Sequence, residues 1–317
     1  MKRVRIVLSC PGIFTGELLT YLNSHLKFSS VGCLISEEES IRVLKNADVL
    51  IMGGNEVITP RILKNASHDL KFIFAGIQAS TAFPGTWEEA QDRVFATGGG
   101  QEAVMQTTLQ QLTFFNPLRL QSVMAKNREI PVDRESILQS QTLLIVGAGG
   151  IGGRVMKLAK NSFGEVLYTG GRGEKQELRE AGFRYIADFA EAFSIADAVS
   201  IHLALIPATE KIITVGQLAK MPKNGFLLNN ARAGIISSGD METFLFNRPD
   251  VQIVCDEFYV NGEEFRKKMY EQGANVYQNI IGCDNFWYTG HTANQGEMTK
   301  REYSEGVLKI LSQLGLL

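Results

Sequence analysis

Three glycines at positions 147, 149 and 152 form the spacing G-x-G-x-x-G directly after the apolar run Thr142–Val146. In a strand–turn–helix unit the first glycine permits the turn, the second lets a pyrophosphate approach the backbone, and the third lets helix and strand pack closely. The helix expected from Arg154 onward offers N–H groups and a positive dipole end to phosphates. The motif therefore predicts a dinucleotide site formed by Gly147, Gly149, Gly150, Ile151 and Gly152.

The first charged side chain after the next predicted strand, Glu165–Thr169, is Arg172, which follows Gly170 and Gly171. Sites for NAD(H) usually place a carboxylate at this strand end to bind the ribose hydroxyls. A carboxylate repels a 2′-phosphate, whereas a guanidinium offers it a fork of N–H donors. Gly171 and Arg172 therefore favour NADP(H) as the cofactor. NAD(H) is the alternative if Arg172 is only a solvated loop residue.

Composition excludes several classes of function. The 317 residues carry a formal net charge of −2 and are 44% hydrophobic, which is typical of a globular protein and gives no electrostatic reason to expect nucleic acid or membrane binding. No apolar stretch reaches the ~18 residues of a membrane span, and no signal peptide is recognisable. The four cysteines are scattered, which predicts buried thiols, no metal site and a cytoplasmic location. They are Cys10, Cys33, Cys255 and Cys283.

Alternating strand and helix patterns run through the chain and predict an α/β fold class with doubly wound parallel sheets. In residues 1–100 the predicted strands are Val4–Leu8, Val31–Ile35, Ala47–Met52 and Leu70–Phe74. This part lacks a phosphate-binding motif, which suits the substrate side of an enzyme. A helical pattern over Gln101–Ala125, which we expect Pro117 to interrupt, leads to the second set of strands. These are Leu143–Val146, Val166–Thr169, Ala198–Leu203, Gly225–Asn229 and Gln252–Cys255.

Four segments, in this order and spacing, resemble the D-isomer-specific 2-hydroxyacid dehydrogenases. They are Gly147–Gly152, Ala196–Leu203, Met221–Ile235 and Asn285–His291. The strand end Leu167–Gly170 also looks like that of NADPH-using glyoxylate and hydroxypyruvate reductases. The resemblance implies two Rossmann-like lobes with an active-site cleft between them, and a homodimer. It also implies that residues 1–100 plus 292–317 form the substrate-binding lobe and residues 101–291 form the NAD(P)-binding domain.

Reduction of a 2-oxoacid needs a cation for the carboxylate and the developing alkoxide, a hydride donor, and an acid for the oxygen. Arg232 follows an apolar strand, at the end where parallel sheets bind ligands, and matches the family's substrate-binding arginine; a surface salt bridge is the alternative. His291 matches the family's acid/base histidine, with a buried hydrogen-bonded histidine as the alternative. Asp256 matches the aspartate that accepts from the nicotinamide carboxamide. For His202, within a strand, we expect a structural role.

One catalytic position departs from the family. Asn261 stands where a glutamate normally orients the histidine and supports its protonated form. An asparagine can orient an imidazole but brings no charge, and Glu263 or Glu264 takes the role if the loop contains an insertion. Formate dehydrogenases of the same superfamily also place an amide there. They have an asparagine ahead of the long helix, however, where this chain has Gly100.

Two further positions bear on the substrate. Gly290 replaces a family proline directly before the candidate histidine. The loop after the strand Leu70–Phe74 lies where backbone N–H groups of the family bind the substrate carboxylate, but its sequence is unusual and does not identify the substrate. Its predicted substrate-binding residues are Ile77, Gln78 and Ala79.

Together these features predict an NADP(H)-preferring oxidoreductase that interconverts a 2-oxoacid and a D-2-hydroxyacid. His291 is the predicted proton donor and acceptor, Arg232 binds the carboxylate, and the expected partner is a small-molecule acid, with no metal, nucleic acid or membrane. One alternative is a cofactor-binding sensor or scaffold relative with weakened catalysis, which Asn261 favours. The other is a dehydrogenase of an atypical substrate.

Overall fold

The computed structural model describes residues 4–31, 34, 36–53, 56–76, 79–115, 138–171, 173–259 and 278–317. The chain divides into two compact units, which we call the terminal unit (Met1–Ala103 with Asn294–Leu317) and the central unit (Val104–Ala293). Each unit contains one parallel sheet with helices, which confirms the predicted α/β class with two Rossmann-like lobes.

The sheet of the terminal unit has the strand order β2-β1-β3-β4-β5, and every neighbouring pair is parallel. Its strands are Arg5–Leu8 (β1), Lys27–Ser30 (β2), Val49–Met52 (β3), Lys71–Phe74 (β4) and Val94–Ala96 (β5). All four residues of β3 are buried, as a central strand covered on both faces requires. The order reverses between β1 and β3, which is the flavodoxin-like form of a doubly wound sheet.

Two strands of this sheet differ from the sequence prediction. The strand predicted at Val31–Ile35 lies mostly outside the described residues, and the structure has a strand directly before it, β2 at Lys27–Ser30, paired with β1. An edge strand has one neighbour and tolerates polar residues, so its composition gave a weaker signal than the apolar run that follows it. The strand β5 was not predicted because it is only three residues long and partly exposed at the other edge.

Three helices of the terminal unit begin at side chains that accept a hydrogen bond from the first turn. Thr15, Ser36 and Thr59 accept from the backbone N–H of Leu18, Glu39 and Ile62 respectively. The helices are Gly16–His25, Glu37–Leu44, Pro60–Asn65, Trp87–Ala90 and Glu297–Gln313. In the last of these, buried Tyr303, Val307 and Leu311 join the core cluster that contains Ile6 and Leu8.

The central unit has a sheet of seven parallel strands in the order β12-β11-β10-β9-β6-β7-β8. The strands are Thr142–Val146 (β6), Glu165–Thr169 (β7), Arg184–Tyr185 (β8), Ala198–Ile201 (β9), Phe226–Asn229 (β10), Gln252–Cys255 (β11) and Phe286–Tyr288 (β12). The order reverses between β6 and β9. Ligands of open parallel sheets bind beyond the carboxyl ends of the strands at such a reversal.

Both faces of the central sheet are buried. In β10, Leu227 belongs to one hydrophobic cluster while Phe226 and Leu228 belong to the other, as the two-residue period of a strand requires. The helices are Gln101–Phe114, Gly150–Ala159, Gln176–Glu180, Phe189–Ser194, Val215–Leu218, Ser238–Asn247 and Gln278–Ile281. The end of the helical pattern predicted over 101–125, with Pro117, lies outside the described residues.

One prediction about the cysteines is wrong. Cys10 is disulfide-bonded rather than a thiol, and this could not be read from the sequence because pairing depends on spatial proximity. Cys255 and Cys283 are free, and Cys33 lies outside the described residues. Among the described residues no helix is long and apolar enough to cross a membrane, and no cluster of three or more His, Cys, Asp or Glu residues is placed to hold a metal ion.

Candidate active site

The glycine motif forms the turn between β6 and the helix Gly150–Ala159. Gly147 has φ +95°, and a Cβ added there would lie 3.0 Å from the backbone carbon of His202. A Cβ on Gly152 would lie 2.2 Å from the carbonyl oxygen of Gly147, so only glycine lets the helix approach the turn this closely. A Cβ on Gly149 would meet no atom within 4 Å. The motif therefore leaves an open space at its second glycine, beside the first helical turn.

The segment after β7 contains the residues that the sequence predicts to select between NADP(H) and NAD(H). Gly170 and Gly171 have φ of +74° and +73°, a left-handed backbone that glycine adopts readily. Arg172 itself lies outside the described residues. The sequence analysis did not single out Lys175, whose Nζ donates to the carbonyl oxygen of Ala148 in the glycine turn at 2.7 Å. Its position three residues after Arg172 is the signal that would have found it.

Arg232 is positioned by a turn at the end of β10. Buried Asn229 donates from Nδ2 to the carbonyl oxygen of Arg232 at 3.0 Å and accepts from the N–H of Ala231 at 3.0 Å. The Arg232 side chain is 45% exposed, and its Nε lies 3.1 Å from Oε2 of Glu257. Its Nη1 donates to the carbonyl oxygen of Ala231 at 2.8 Å. The guanidinium is thus held at two nitrogen atoms and is still partly accessible to a ligand.

Asp256 follows β11 and is buried. Its Oδ1 accepts hydrogen bonds from the Thr289 hydroxyl at 2.6 Å and from the backbone N–H of Thr292 at 3.0 Å. The N–H of Ala293 lies 3.3 Å from both carboxylate oxygens. These contacts hold the residues on both sides of His291, so Asp256 fixes the turn that carries the candidate acid.

His291 lies in that turn with a left-handed backbone, φ +56°, directly after Gly290 with φ +81°. The pyrrolidine ring of proline holds φ near −65°, so proline cannot adopt the conformation of Gly290. The replacement of the family proline by Gly290 is therefore explained by the backbone. A left-handed conformation is uncommon for a residue with a Cβ, and such residues are frequent at functional sites.

Glu257 is a site residue that the sequence analysis missed. Its carboxylate pairs with Arg232, with Oε2 3.1 Å from Nε of the guanidinium. Burial raises the pKa of the Glu257 carboxyl above its usual range, while the charges of Arg232 and His291 act in the opposite direction. An acidic residue directly after Asp256, at a strand end beside an arginine, is the signal that would have found it.

His202 lies directly after β9, and a structural role for it stays a prediction. Its Nε2 lies 2.9 Å from the Ser200 hydroxyl. Burial lowers the pKa of His202 to about 4, so its ring is neutral at physiological pH.

Four predicted site residues lie outside the described residues, namely Ile77, Gln78, Arg172 and Asn261. Ala79 is buried at the start of a 3₁₀ turn, Ala79–Ala82, in the terminal unit. The structure brings together Arg232, Asp256, Glu257 and His291 at the carboxyl ends of β10, β11 and β12, which are neighbours in the central sheet. It places the glycine motif at the same edge, at the end of β6.

Comparison with known proteins gives matches over the central unit and over the whole chain. The model of the family "D-isomer specific 2-hydroxyacid dehydrogenase, NAD binding domain" matches residues 117–293, more than half of the chain. A putative 2-hydroxyacid dehydrogenase of Staphylococcus epidermidis is 31% identical over 111 residues, 35% of each chain. The match therefore spans about a third of that relative's length.

Two solved structures share the fold at low identity. NAD⁺-bound 3-phosphoglycerate dehydrogenase from Entamoeba histolytica has a TM-score of 0.76 and 18% identity, covering 98% of this chain and 95% of the other. An acyclic imino acid reductase in complex with NADPH and D-Arg has a TM-score of 0.78 and 18% identity, with coverage of 98% and 97%.

Proposed function

The chain belongs to the D-isomer specific 2-hydroxyacid dehydrogenase family, and from this premise we propose that it is a nicotinamide-dependent oxidoreductase acting on a 2-oxoacid and a D-2-hydroxyacid. The observation that carries the proposal is the placement of Arg232 and His291 at the carboxyl ends of β10 and β12, on either side of β11, each held by a buried polar side chain. A cation and a proton donor at one edge are what 2-oxoacid reduction requires.

The glycine turn fits a dinucleotide. The space beside Gly149 and the first turn of the ten-residue helix Gly150–Ala159 suit a pyrophosphate, because backbone N–H groups and the helix dipole both favour an anion there. Gly147, Gly149, Gly150, Ile151 and Gly152 would hold it. When bound, the nicotinamide supplies the hydride for the 2-carbon of the substrate.

We further propose that NADP(H) is preferred over NAD(H). Arg172 offers bidentate donors to a 2′-phosphate, and Lys175 adds a second cation that already contacts the glycine turn. Gly171, directly before Arg172 in the sequence, has a left-handed backbone with φ +73° and no side chain. Arg172→Ala is expected to weaken NADPH binding by about 10- to 100-fold, the loss of one charge-assisted contact, and to leave NADH binding unchanged. Equal losses for both cofactors would contradict the preference.

In the proposed reduction Arg232 binds the substrate carboxylate and His291 donates a proton to the carbonyl oxygen. The half-exposed guanidinium of Arg232 can donate hydrogen bonds to a substrate carboxylate while its Nε remains paired with Glu257. Asp256 holds the turn of His291; a contact of Asp256 with the nicotinamide carboxamide stays a prediction. Substrate binding by Ile77, Gln78 and Ala79 also stays a prediction, supported by the resemblance alone.

The competing proposals are a cofactor-binding sensor or scaffold protein and a dehydrogenase of an atypical substrate. Calorimetric titration with NADPH and NADH, followed by absorbance at 340 nm with glyoxylate, hydroxypyruvate, pyruvate and phenylpyruvate, separates them. An enzyme of the proposed kind turns over one of these acids and loses most turnover in Arg232→Ala and His291→Ala. Tight cofactor binding without turnover of any acid favours a sensor or an atypical substrate.

The assembly and the location are proposals from the same resemblance. We expect a cytoplasmic homodimer, and sedimentation analysis of the purified chain tests the dimer. A single species with the mass of one 35.0 kDa chain would contradict it.

A further inference from the structure

Asn230 is a buried amide directly after β10 that none of the preceding roles uses. Its side chain is only 8% exposed. Nδ2 donates to the Thr108 hydroxyl at 2.9 Å and to Oε1 of Gln111 at 2.6 Å. Thr108 and Gln111 lie on the helix Gln101–Phe114 and are buried as well. Both amide protons of Asn230 thus join the end of β10 to this helix.

The helix presents its two acceptors in a fixed geometry. The Thr108 hydroxyl donates to the carbonyl oxygen of Val104, one turn earlier, at 2.7 Å. Its proton is therefore used within the helix, and its lone pairs are left to accept from Asn230. Gln111 follows Thr108 by three residues, so both side chains lie on the same face of the helix. Asn230 is held by this pair of acceptors.

The backbone carries the position of Asn230 to Arg232, two residues later. The carbonyl oxygen of Ala231, the residue between them, accepts from Nη1 of Arg232 at 2.8 Å. Asn229 ties the same turn together, through the N–H of Ala231 and the carbonyl oxygen of Arg232. A displacement of Asn230 would therefore move the carbonyl group that holds the guanidinium.

This buried polar contact supplies direction more than stability. Hydrogen bonds have preferred distances and angles, whereas burial of apolar surface is non-directional. A buried hydrogen-bonded pair can be replaced by apolar groups of the same shape with little change in stability. In addition, Oδ1 of Asn230 is buried without a hydrogen-bond partner among the described residues, which offsets part of what the bonds of Nδ2 contribute. The arrangement fits a need to fix the place of Asn230 better than a need for stability.

We infer that Asn230, held by Thr108 and Gln111, is a positioning residue for Arg232 in the proposed reaction. The inference rests on the proposed function. The helix fixes Asn230, Asn230 fixes the carbonyl group of Ala231, and that carbonyl group holds one nitrogen of the guanidinium. The remaining N–H groups of Arg232 then keep one orientation toward a substrate carboxylate. Asn230 acts on the binding of the 2-oxoacid and not on the transfer of the proton.

The direct test observes Arg232 in the purified full-length chain, without cofactor or substrate. NMR measures the exchange of its Nε–H with water, and Arg232→Lys identifies the signal. In the double variant Asn230→Leu/Gln111→Met we expect exchange at least about threefold faster, because exchange follows the population in which the guanidinium is released. The melting temperature is expected to change by less than about 4 °C, since both polar partners are replaced together. Unchanged exchange would overturn the inference.

The matched control is Gln110→Ala, which alters an exposed glutamine next to Gln111 on the same helix. It is expected to leave both the exchange at Arg232 and the melting temperature as they are in the wild-type chain. Acceleration in Gln110→Ala equal to that in the double variant would overturn the inference.

Two single variants at position 111 separate positioning from packing, and they replace the double variant if it does not fold. Gln111→Glu keeps an oxygen that can accept from Asn230, whereas Gln111→Met fills a similar volume without an acceptor. Exchange at Arg232 is expected to stay near the wild-type rate in Gln111→Glu and to accelerate in Gln111→Met. A packing role would give the reverse order or equal rates, and either result would overturn the inference.

The kinetic test uses the acid that the wild-type chain reduces. In the double variant KM is expected to rise about tenfold while kcat stays within about twofold, because the contact of Arg232 with the carboxylate is present before and during the reaction. A fall in kcat at unchanged KM would overturn the inference. Should the wild-type chain reduce no acid, the proposed function fails, while the exchange at Arg232 still decides the role of Asn230.

Discussion

In the glycine motif, alanine substitutions at different positions are expected to affect cofactor binding and stability separately. Gly149, Gly152 and Gly153 lie within five residues of one another, yet an added methyl group meets different surroundings at each. At Gly149 it finds no atom within 4 Å, at Gly153 it lies 3.7 Å from the carbonyl oxygen of Ala148, and at Gly152 it lies 2.2 Å from that of Gly147. Alanine at these three positions is therefore expected to give three distinct results.

Gly149→Ala is expected to fold normally and to lose the dinucleotide. Gly149 has φ −81° and ψ −153°, which alanine adopts without strain, so its effect on stability should stay below about 0.5 kcal/mol. The methyl group would stand where the backbone must approach the pyrophosphate. We expect NADPH binding at least tenfold weaker, about 1.4 kcal/mol.

Gly152→Ala is expected to damage the fold, because 2.2 Å is far inside van der Waals contact and the obstructing atom belongs to the backbone. Overpacking of this kind lowers stability by about 1–3 kcal/mol or more. Gly153→Ala serves as the control. Its contact is ordinary, and replacing a helical glycine by alanine should stabilise the chain by roughly 0.5–1 kcal/mol.

The assay is thermal melting of each variant together with calorimetric titration of NADPH. The expected pattern is normal melting with weak binding for Gly149→Ala, early melting for Gly152→Ala, and normal or raised melting with normal binding for Gly153→Ala. NADPH binding by Gly149→Ala equal to that of the wild-type chain would refute the placement of the pyrophosphate. A lowered melting temperature of Gly149→Ala would refute the prediction that a methyl group fits at this position without contact.

Three further predictions follow from buried ionisable groups. The unfolded chain protonates His202 near pH 6.5, whereas the folded chain protonates it only near pH 4. The free energy of unfolding should therefore fall as pH decreases through this window, by at most about 3 kcal/mol because part of the residue is exposed. Urea unfolding at pH 7 and pH 5 should show a smaller fall in His202→Gln than in the wild-type chain, with exposed His68→Gln as the control. The pKa of Glu257 is raised in the folded chain, so the stability that this residue contributes is present below about pH 4.5 and is lost as pH rises through the folded-state pKa. At pH 7 Glu257→Gln should therefore melt at or above the temperature of the wild-type chain. A lower melting temperature would contradict this expectation. Asp256→Asn loses charge-assisted hydrogen bonds to the turn of His291 and is expected to lower the free energy of unfolding by about 2 kcal/mol and to reduce kcat, whereas unchanged kcat would show that the turn needs no anchor.

Much of the central unit was predictable because its signals are local. The run Thr142–Val146 and the glycines after it specify a strand, a turn and a helix, since β-branched residues favour strands and only glycine tolerates the turn. The strand Glu165–Thr169 was placed with the same bounds as in the structure. Strand ends in a parallel sheet share one edge, so the sequence alone also indicated that Arg232 and His291 belong to the same region.

Edges of sheets and distant partners were not predictable in the same way. The strands Lys27–Ser30 and Val94–Ala96 are short and partly polar, and only their pairing with a neighbour makes them strands. The disulfide of Cys10 depends on which residues the fold brings near it. Local sequence carries no information on such contacts, because they join parts of the chain separated by many residues.

The same limit applies to the charges of the candidate site. The sequence alone determined the fold class, the dinucleotide motif, and the types and strand-end positions of Arg232, Asp256 and His291. Only the tertiary structure decided that Glu257 pairs with Arg232 and that Asp256 holds the turn of His291. The physical reason is that the field of a carboxylate depends on distance and burial, which are set by the packing of three strands and not by spacing along the chain.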